Sequence, residues 1–332
     1  MLLSVLTNIK QFAPCFSLTR VLPPYIREKL VATSFMFVKK TREGVIMKFG
    51  IYYSYWETEW GGDAFPYIKK VKELGFDLLE VACGDFDRHD ISYFHNLRNE
   101  SEKHGIALSG GYGPRAEHNI TSTDSAIVEN AFSFYREIFP KMQTAGIKSL
   151  GGAIYSYWPV DFSSGVNKPA DLETSIKNMK RLADLAAEYD ITLNMEALNR
   201  FEGYLLNTAR ETVDYVDAVA KDNVKVMLDT FHMNIEEDCF INAITLSGEK
   251  LGELHVGEAN RRAPRPGRMP WGIIGEALRD INFKGNVVME PFVLMGGQVG
   301  KDISVWRNLE KPEDLDRLAA ESVEFLRSEF LL

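Results

Sequence analysis

The stretch ITLNMEALNRFEGYLLNTARETVDYVDAVAKDNVKVMLD, residues 191–229, holds two short apolar runs separated by a segment whose apolar residues follow helical spacing. The first run ends on Glu196 and the second ends on Asp229. Nearly continuous apolar runs are typical of parallel strands that are buried on both faces, where a carboxylate is rarely buried without a partner. The stretch therefore predicts a strand–helix–strand unit whose two strands end on polar functional residues.

Two further apolar runs downstream reach His255 and Glu290 in the same way. One acid at the end of a strand says little, because every strand must exit to solvent somewhere. Four successive strands that end on three acids and a histidine indicate one ligand set. These are hard to borderline ligands, which suit Mn²⁺, Co²⁺ or Mg²⁺. We therefore predict one divalent metal ion per subunit, bound by Glu196, Asp229, His255 and Glu290.

The alternation of apolar runs and helical segments extends over residues 47–332 and predicts a single (β/α)8 TIM barrel. The predicted strands are 49–53, 78–82, 106–109, 149–153, 191–196, 224–229, 251–256 and 287–290. The predicted helices are 65–74, 91–104, 125–144, 171–189, 209–219, 240–246, 274–280 and 312–326. Active sites of such barrels lie at the carboxyl ends of the strands, so the four ligands are expected to meet at one point.

Residues 1–46 differ from the barrel in composition. They hold seven basic and two acidic residues, a charge of +5, whereas the whole chain carries −9. A basic stretch with few acids resembles a transit peptide, but a clean first strand begins just after Met47. We therefore predict an N-terminal extension, poorly ordered, followed by one catalytic domain.

Composition limits the partners. The acidic body disfavours a nucleic-acid backbone as partner, and no apolar run is long enough to span a membrane. The three cysteines have no CxxC spacing and so make no cysteine zinc site, and a reducing cytoplasm is the simple interpretation. Small neutral or cationic ligands fit this charge balance better.

Other polar and aromatic residues fall in the loops that follow the strands. Arg261 is placed to offset the charge of three carboxylates, and Glu202 and His232 lie in the loops after strands five and six. Aromatic rings could form the walls of a sugar pocket, since sugars present apolar C–H faces to such surfaces. These candidate wall residues are Tyr52, Trp60, Trp158 and Phe292.

Several segments are similar to the ketose 3-epimerases, the D-tagatose and D-psicose (D-allulose) 3-epimerase group of the xylose-isomerase-like barrels. They are GIYYSYW (50–56), GGAIYSYWP (151–159), EALNRFEGYLLNTA (196–209), VKVMLDTFHMNIEED (224–238), LHVGEANR (254–261) and VVMEPFV (287–293). Their order and spacing agree along almost all of residues 47–332, and the tail before Met47 has no counterpart.

The resemblance implies a homodimer or homotetramer that epimerises free ketohexoses at C3, D-fructose/D-psicose first and D-tagatose/D-sorbose next, through a cis-enediolate. Glu196 and Glu290 would be both metal ligands and the acid/base pair, while Glu202, His232 and Arg261 would contact substrate oxygens. Discrimination of the C4 hydroxyl would rest on pocket residues, which we expect to be Tyr52, Cys83, Gly110 and Trp158.

Three other functions fit parts of the pattern. An aldose–ketose or hydroxypyruvate-type isomerase uses the same barrel, but a hydride shift typically needs a second metal and a lysine, and no lysine stands in the ligand loops. An apurinic-site endonuclease would need more histidine ligands and a basic groove. A non-catalytic sugar-binding barrel would share the pocket without the chemistry.

Overall fold

The computed structural model describes residues 47–163 and 165–331, and the predicted N-terminal extension lies outside them. Eight parallel strands form a closed barrel in sequence order. The strands are β1 (Lys48–Tyr52), β2 (Leu78–Ala82), β3 (Ala107–Gly111), β4 (Ser149–Gly152), β5 (Thr192–Glu196), β6 (Val224–Asp229), β7 (Leu251–Val256) and β8 (Asn286–Met289). The predicted TIM-barrel fold is confirmed, and the strand limits differ from prediction by at most two residues.

The register of the strands aligns the ends on which the site depends. Asp229 of β6 is paired with His255 of β7, and β8 closes the barrel against β1 with Phe49 opposite Val287. The backbone N–H of Glu290 donates to the carbonyl of Val256 at 3.1 Å, so this residue extends the β8 pairing by one position. Since all strands run parallel, their carboxyl ends lie at one rim of the barrel.

Ten α-helices occur in the described part of the chain. They are α1 (Phe65–Glu73), α2 (Ile91–His104), α3 (Ser125–Ala145), α4 (Lys168–Ala187), α5 (Ala209–Val219), α6 (Thr230–Glu236), α7 (Phe240–Ser247), α8 (Trp271–Asp280), α9 (Gly297–Asp302) and α10 (Leu315–Leu331). Helix α2 shows how the sequence sets both ends of a helix. The Asp90 side chain accepts hydrogen bonds from two N–H groups of the first turn, and Gly105 ends the helix with φ 62°. None of these helices is long and apolar enough to cross a membrane.

Helices α6 and α9 were not predicted, and the count of eight helices was wrong for that reason. Helix α6 starts directly after β6 because the Asp229 side chain accepts a hydrogen bond from the N–H of Phe231 at 2.7 Å and caps the helix. Helix α9 belongs to the segment after β8, whose residues contact the segment after β1. Both helices lie at the rim that carries the site.

The apolar core lies between the strands and the outer helices, whereas the barrel interior carries several buried polar side chains. Successive side chains of a strand alternate between these two environments. In β2, Leu79 and Val81 pack in the core while Glu80 points into the barrel, and in β7 the same alternation places Glu253 and His255 inside. The buried polar interior leads directly to the rim where the site is built.

Candidate active site and metal centre

A cavity of about 490 Å³ opens at the carboxyl end of the barrel. Its floor includes Glu196, His255 and Glu290, which come from three different strand ends. The predicted wall residues Tyr52, Trp60, Trp158 and Phe292, and the predicted polar residues Glu202, His232 and Arg261, also line it. The predicted metal ligands, wall residues and polar substrate-binding residues therefore lie at or beside one cavity.

Four ligand-type side chains converge on the cavity floor. One ligand atom from each lies within 4.8 Å of the others, namely from Glu196, Asp229, His255 and Glu290. Nδ1 of His255 lies 3.5 Å from Oε1 of Glu290. Nδ1 of His255 and Oε1 of Glu196 are both buried without a hydrogen-bond partner in the part of the chain that the structure describes. Buried polar atoms seldom stay unpaired, so this donor set fits a divalent cation.

Arg261 connects the quartet with Glu202. Its Nη1 donates to Oδ2 of Asp229 and to Oε2 of Glu290, both at 3.2 Å, and its Nη2 donates to Glu202 at 3.2 Å. The Arg261 guanidinium lies 3.9 Å from the ring centroid of Phe231, and the Arg261 backbone has a φ of 64°. A single buried cation thus pairs with two carboxylates of the quartet, those of Asp229 and Glu290, and with Glu202.

His232, in the first turn of α6, presents a neutral donor to the quartet. The backbone N–H of Asn199 donates to its Nδ1 at 3.2 Å, and the Asn199 side chain lies 2.8 Å from the same nitrogen. Burial lowers the pKa of His232, so the ring is uncharged and carries its proton on Nε2. Nε2 lies 3.7 Å from Oε1 of Glu196 and 3.8 Å from Oδ2 of Asp229.

Asn199 was missed by the sequence reasoning. Its side chain also donates to Oε1 of Glu202 at 2.9 Å, so it links two candidate substrate-binding residues. An asparagine in a loop carries no signal of its own, although it stands three residues after Glu196 and three before Glu202.

The two glutamates of the proposed acid/base pair have different electrostatic surroundings. Burial, followed by the charge of Glu290, raises the pKa of Glu196 well above its ordinary value. Burial alone would also raise the pKa of Glu290, but His255 and Arg261 outweigh it, and the net pKa is lowered. In the absence of an ion, the two carboxyl groups therefore differ in their affinity for a proton.

The aromatic walls are held in a fixed arrangement. The Trp60 ring makes edge-on contacts with Trp158 (centroids 5.7 Å apart) and with Phe292 (5.9 Å). Its indole N–H donates to Oδ2 of Asp302 at 2.8 Å, at the end of the unpredicted helix α9. Asp302 is thus a second residue that sequence reasoning missed.

Two predicted pocket residues are placed elsewhere. Cys83 is fully buried and does not line the cavity, and burial raises the pKa of its thiol, which argues against a reactive thiolate. A side chain on Gly110 would collide with the Cys83 sulfur rather than enter the cavity. The prediction that these two residues contact substrate was wrong, because both pack outside the cavity lining.

The sequence and the fold of this chain are similar to those of known proteins. The sequence model of the xylose isomerase-like TIM barrel family matches residues 68–329. The chain is 45% identical over 291 residues to a D-psicose 3-epimerase of Enterocloster bolteae, covering 86% of this chain and 96% of that protein. It is 47% identical over 284 residues to the D-psicose 3-epimerase of Ruminiclostridium cellulolyticum, covering 85% and 97%.

Solved structures give the same result. A D-psicose 3-epimerase determined in the presence of D-fructose superimposes with a TM-score of 0.84 at 46% identity, covering 86% of this chain and 99% of that chain. The D-psicose 3-epimerase of Clostridium cellulolyticum with D-tagatose gives the same values. The chain belongs to the ketose 3-epimerases of the xylose isomerase-like TIM barrels, and the predicted family and enzyme class are confirmed.

Proposed function

We propose that this chain epimerises free ketohexoses at C3, with D-fructose and D-psicose as the preferred pair and D-tagatose and D-sorbose next, and that it requires a divalent metal. The observation that carries the proposal is the convergence of Glu196, Asp229, His255 and Glu290 at the floor of an aromatic-walled cavity. Relatives at 45–47% identity are named for D-psicose, and one was solved with D-tagatose.

The metal would be held by the quartet, with Mn²⁺ or Co²⁺ favoured and Mg²⁺ also compatible with the donors. The ion would supply Lewis-acid stabilisation of the negative charge that develops on the sugar oxygens next to C3. The buried, unpaired oxygen of Glu196 and Nδ1 of His255 support this assignment, because both atoms lack a partner among the described residues and both can donate a lone pair to a cation. Asp229 and His255 act in this proposal as ligands only.

Glu196 and Glu290 would also move the proton. Inversion at C3 requires that a proton α to the C2 carbonyl leaves one face and that a proton returns to the other face, through a cis-enediolate. One carboxylate takes the C3 proton while the other, protonated, delivers its own, and the pair exchanges roles in the reverse direction. Without a metal ion, burial raises the pKa of Glu196 while His255 and Arg261 lower that of Glu290, so the two carboxyl groups already differ before an ion binds.

Substrate oxygens would be bound by Glu202, His232 and Arg261. The Nε2–H of His232 and the guanidinium of Arg261 are donors, while Glu202 is an acceptor. Burial would raise the pKa of Glu202, but the charge of Arg261 and the hydrogen bond from Asn199 lower it. The faces of Trp60, Trp158, Tyr52 and Phe292 would pack against the sugar C–H groups.

The competing aldose–ketose isomerase is less well supported. No lysine lines the cavity in the described residues, and the quartet contains one histidine. A hydride shift would therefore lack the lysine it typically uses. We also propose a cytoplasmic location and a homodimer or homotetramer; light scattering of the purified protein would test the assembly.

A panel of ketohexoses tests the function. The protein is stripped with EDTA, reconstituted with Mn²⁺, Co²⁺ or Mg²⁺, and assayed for products by chromatography. We expect no turnover without metal and C3 epimers with Mn²⁺ or Co²⁺, fastest with D-psicose or D-fructose. Aldose products, or full activity in the stripped protein, would contradict the proposal.

A further inference from the structure

Two glutamates that the proposed reaction does not use lie inside the barrel beside His255. Oε1 of Glu80, from β2, lies 3.0 Å from Nε2 of His255, and Oε1 of Glu253, from β7, lies 3.6 Å from the same nitrogen. Glu80 is 1% exposed and Glu253 is fully buried. Buried carboxylates are costly unless they are paired or hydrogen-bonded.

Each carboxylate is held by its other oxygen. Oε2 of Glu80 accepts a hydrogen bond from the Ser109 hydroxyl at 3.0 Å. Oε2 of Glu253 accepts from the Ser149 hydroxyl at 3.0 Å and from the Asn286 side chain at 3.2 Å. These bonds fix the orientation of both groups and leave each Oε1 directed at the imidazole.

The three atoms that face one another are otherwise unpaired. Oε1 of Glu80, Oε1 of Glu253 and Nε2 of His255 are buried and make no well-aligned hydrogen bond within residues 47–163 and 165–331. A proton on Nε2 therefore has these two oxygens as its nearest acceptors. On the other side of the ring, Nδ1 faces Glu290 of the quartet at 3.5 Å.

We propose that Glu80 and Glu253 are positioning residues that keep the proton of His255 on Nε2 and thereby turn the lone pair of Nδ1 toward the metal. Histidine ligands commonly donate their second N–H to a carboxylate, which fixes the tautomer and the ring plane. Glu80 is the main acceptor because it is 0.6 Å closer than Glu253. The inference rests on the metal centre of the proposed function.

This assignment excludes a second metal site at the same place. Glu80, Glu253 and His255 also have ligand atoms within 4.8 Å of one another. An imidazole that donates a proton from Nε2 cannot bind an ion through that nitrogen. The chain should therefore bind one ion rather than two.

Titration calorimetry with Mn²⁺ on the EDTA-treated full chain tests the inference. Glu80→Met keeps the side-chain bulk but removes the acceptor, and should weaken Mn²⁺ binding about 10–100-fold. Glu80→Gln keeps one carbonyl oxygen that can accept from Nε2–H, so it should recover much of the affinity. Glu237→Gln is the matched control, because Glu237 accepts a hydrogen bond from the N–H of Ala209 and does not line the cavity.

Thermal unfolding of each variant in EDTA shows which of them are folded. Wild-type affinity in folded Glu80→Met, or two Mn²⁺ ions per wild-type chain, would overturn the inference while leaving the metal centre in place. Equal losses of Mn²⁺ affinity in Glu80→Met and Glu80→Gln would also overturn it, because the bulk and charge of the side chain, rather than a hydrogen-bond acceptor, would then determine the affinity. A wild-type chain that binds no Mn²⁺ would overturn the metal centre and this inference together.

Discussion

The backbone N–H of Asn199 donates to Nδ1 of His232 at 3.2 Å, and the Asn199 side chain lies 2.8 Å from the same nitrogen. These two contacts leave Nε2 as the nitrogen that faces the quartet. A nitrogen that accepts a hydrogen bond carries no proton in a neutral imidazole, so Nε2 must be the donor. The loop after β5 thereby sets which nitrogen of His232, a residue of helix α6, carries the proton.

Asn199→Asp should disturb this arrangement. A carboxylate beside the Nδ1 lone pair favours a proton there, and the ring then becomes charged or turns away from the quartet. We expect kcat/KM to fall about 10–100-fold, or about 1.4–2.7 kcal/mol. Asn130→Asp is the control, since Asn130 donates only to the carbonyl of Glu117 on the outer surface and should keep wild-type kinetics. Unchanged kcat/KM in Asn199→Asp would show that the tautomer of His232 is not set this way.

Arg261 should matter most for stability when the metal is absent. Its removal leaves the buried carboxylate of Asp229 and the half-buried carboxylates of Glu202 and Glu290 without their shared cation. Breaking a buried ion pair such as Arg261–Asp229 costs about 3–5 kcal/mol. We expect Arg261→Met to lower the free energy of unfolding by about that amount in EDTA and by clearly less in saturating Mn²⁺, because the ion compensates the same charges.

Arg265→Met provides the comparison, since Arg265 lies in the same loop but pairs with Glu310. Its effect should be equal with and without Mn²⁺. If the loss of unfolding free energy in Arg261→Met were also independent of Mn²⁺, the ion would not compensate the charges that Arg261 neutralises.

Asp302 should affect substrate binding more than turnover. It accepts a hydrogen bond from the indole N–H of Trp60, so Asp302→Ala removes the bond that holds this ring in the cavity wall. We expect KM to rise about five- to tenfold, while kcat stays within about twofold. Asp316→Ala is matched to it, because Asp316 accepts the indole N–H of Trp56, which does not line the cavity. A fall in kcat without a change in KM would place Asp302 in the chemistry instead.

Glu196→Gln and Glu290→Gln should each reduce turnover at saturating Mn²⁺ by about 10³-fold, within the usual range for loss of a general acid or base. Glu237→Gln should keep wild-type turnover. Calorimetry with Mn²⁺ separates loss of the proton-transfer group from loss of the ion. Near-normal turnover in either variant with metal bound would mean that the affected glutamate is only a ligand.

The sequence predicted those parts of the site that lie where a strand meets a loop. Strand limits within two residues were sufficient to place Glu196, Asp229, His255 and Glu290 at one rim, since parallel register carries a strand-end residue to that rim. Glu80 and Glu253 were missed because an acid within an apolar run looks like an interruption, although its alternation with Leu79 or Leu254 points it into the barrel.

Contacts between distant loops were beyond sequence reasoning. Asn199 meets His232 across 33 residues, and Asp302 meets Trp60 across 242, and neither pairing follows from local pattern or propensity. Helix α6 could have been anticipated, because Asp229 directly before Thr230 and Phe231 has the form of an N-cap.

The central claim is that two glutamates exchange a proton with C3 of a ketose. Epimerisation of D-psicose by the Mn²⁺-loaded wild-type chain in deuterium oxide measures this directly, with the C3 position of the D-fructose product examined by NMR and mass spectrometry. The account predicts one deuterium at C3 of the product. Complete retention of the original C3 hydrogen in an epimerised product would contradict it.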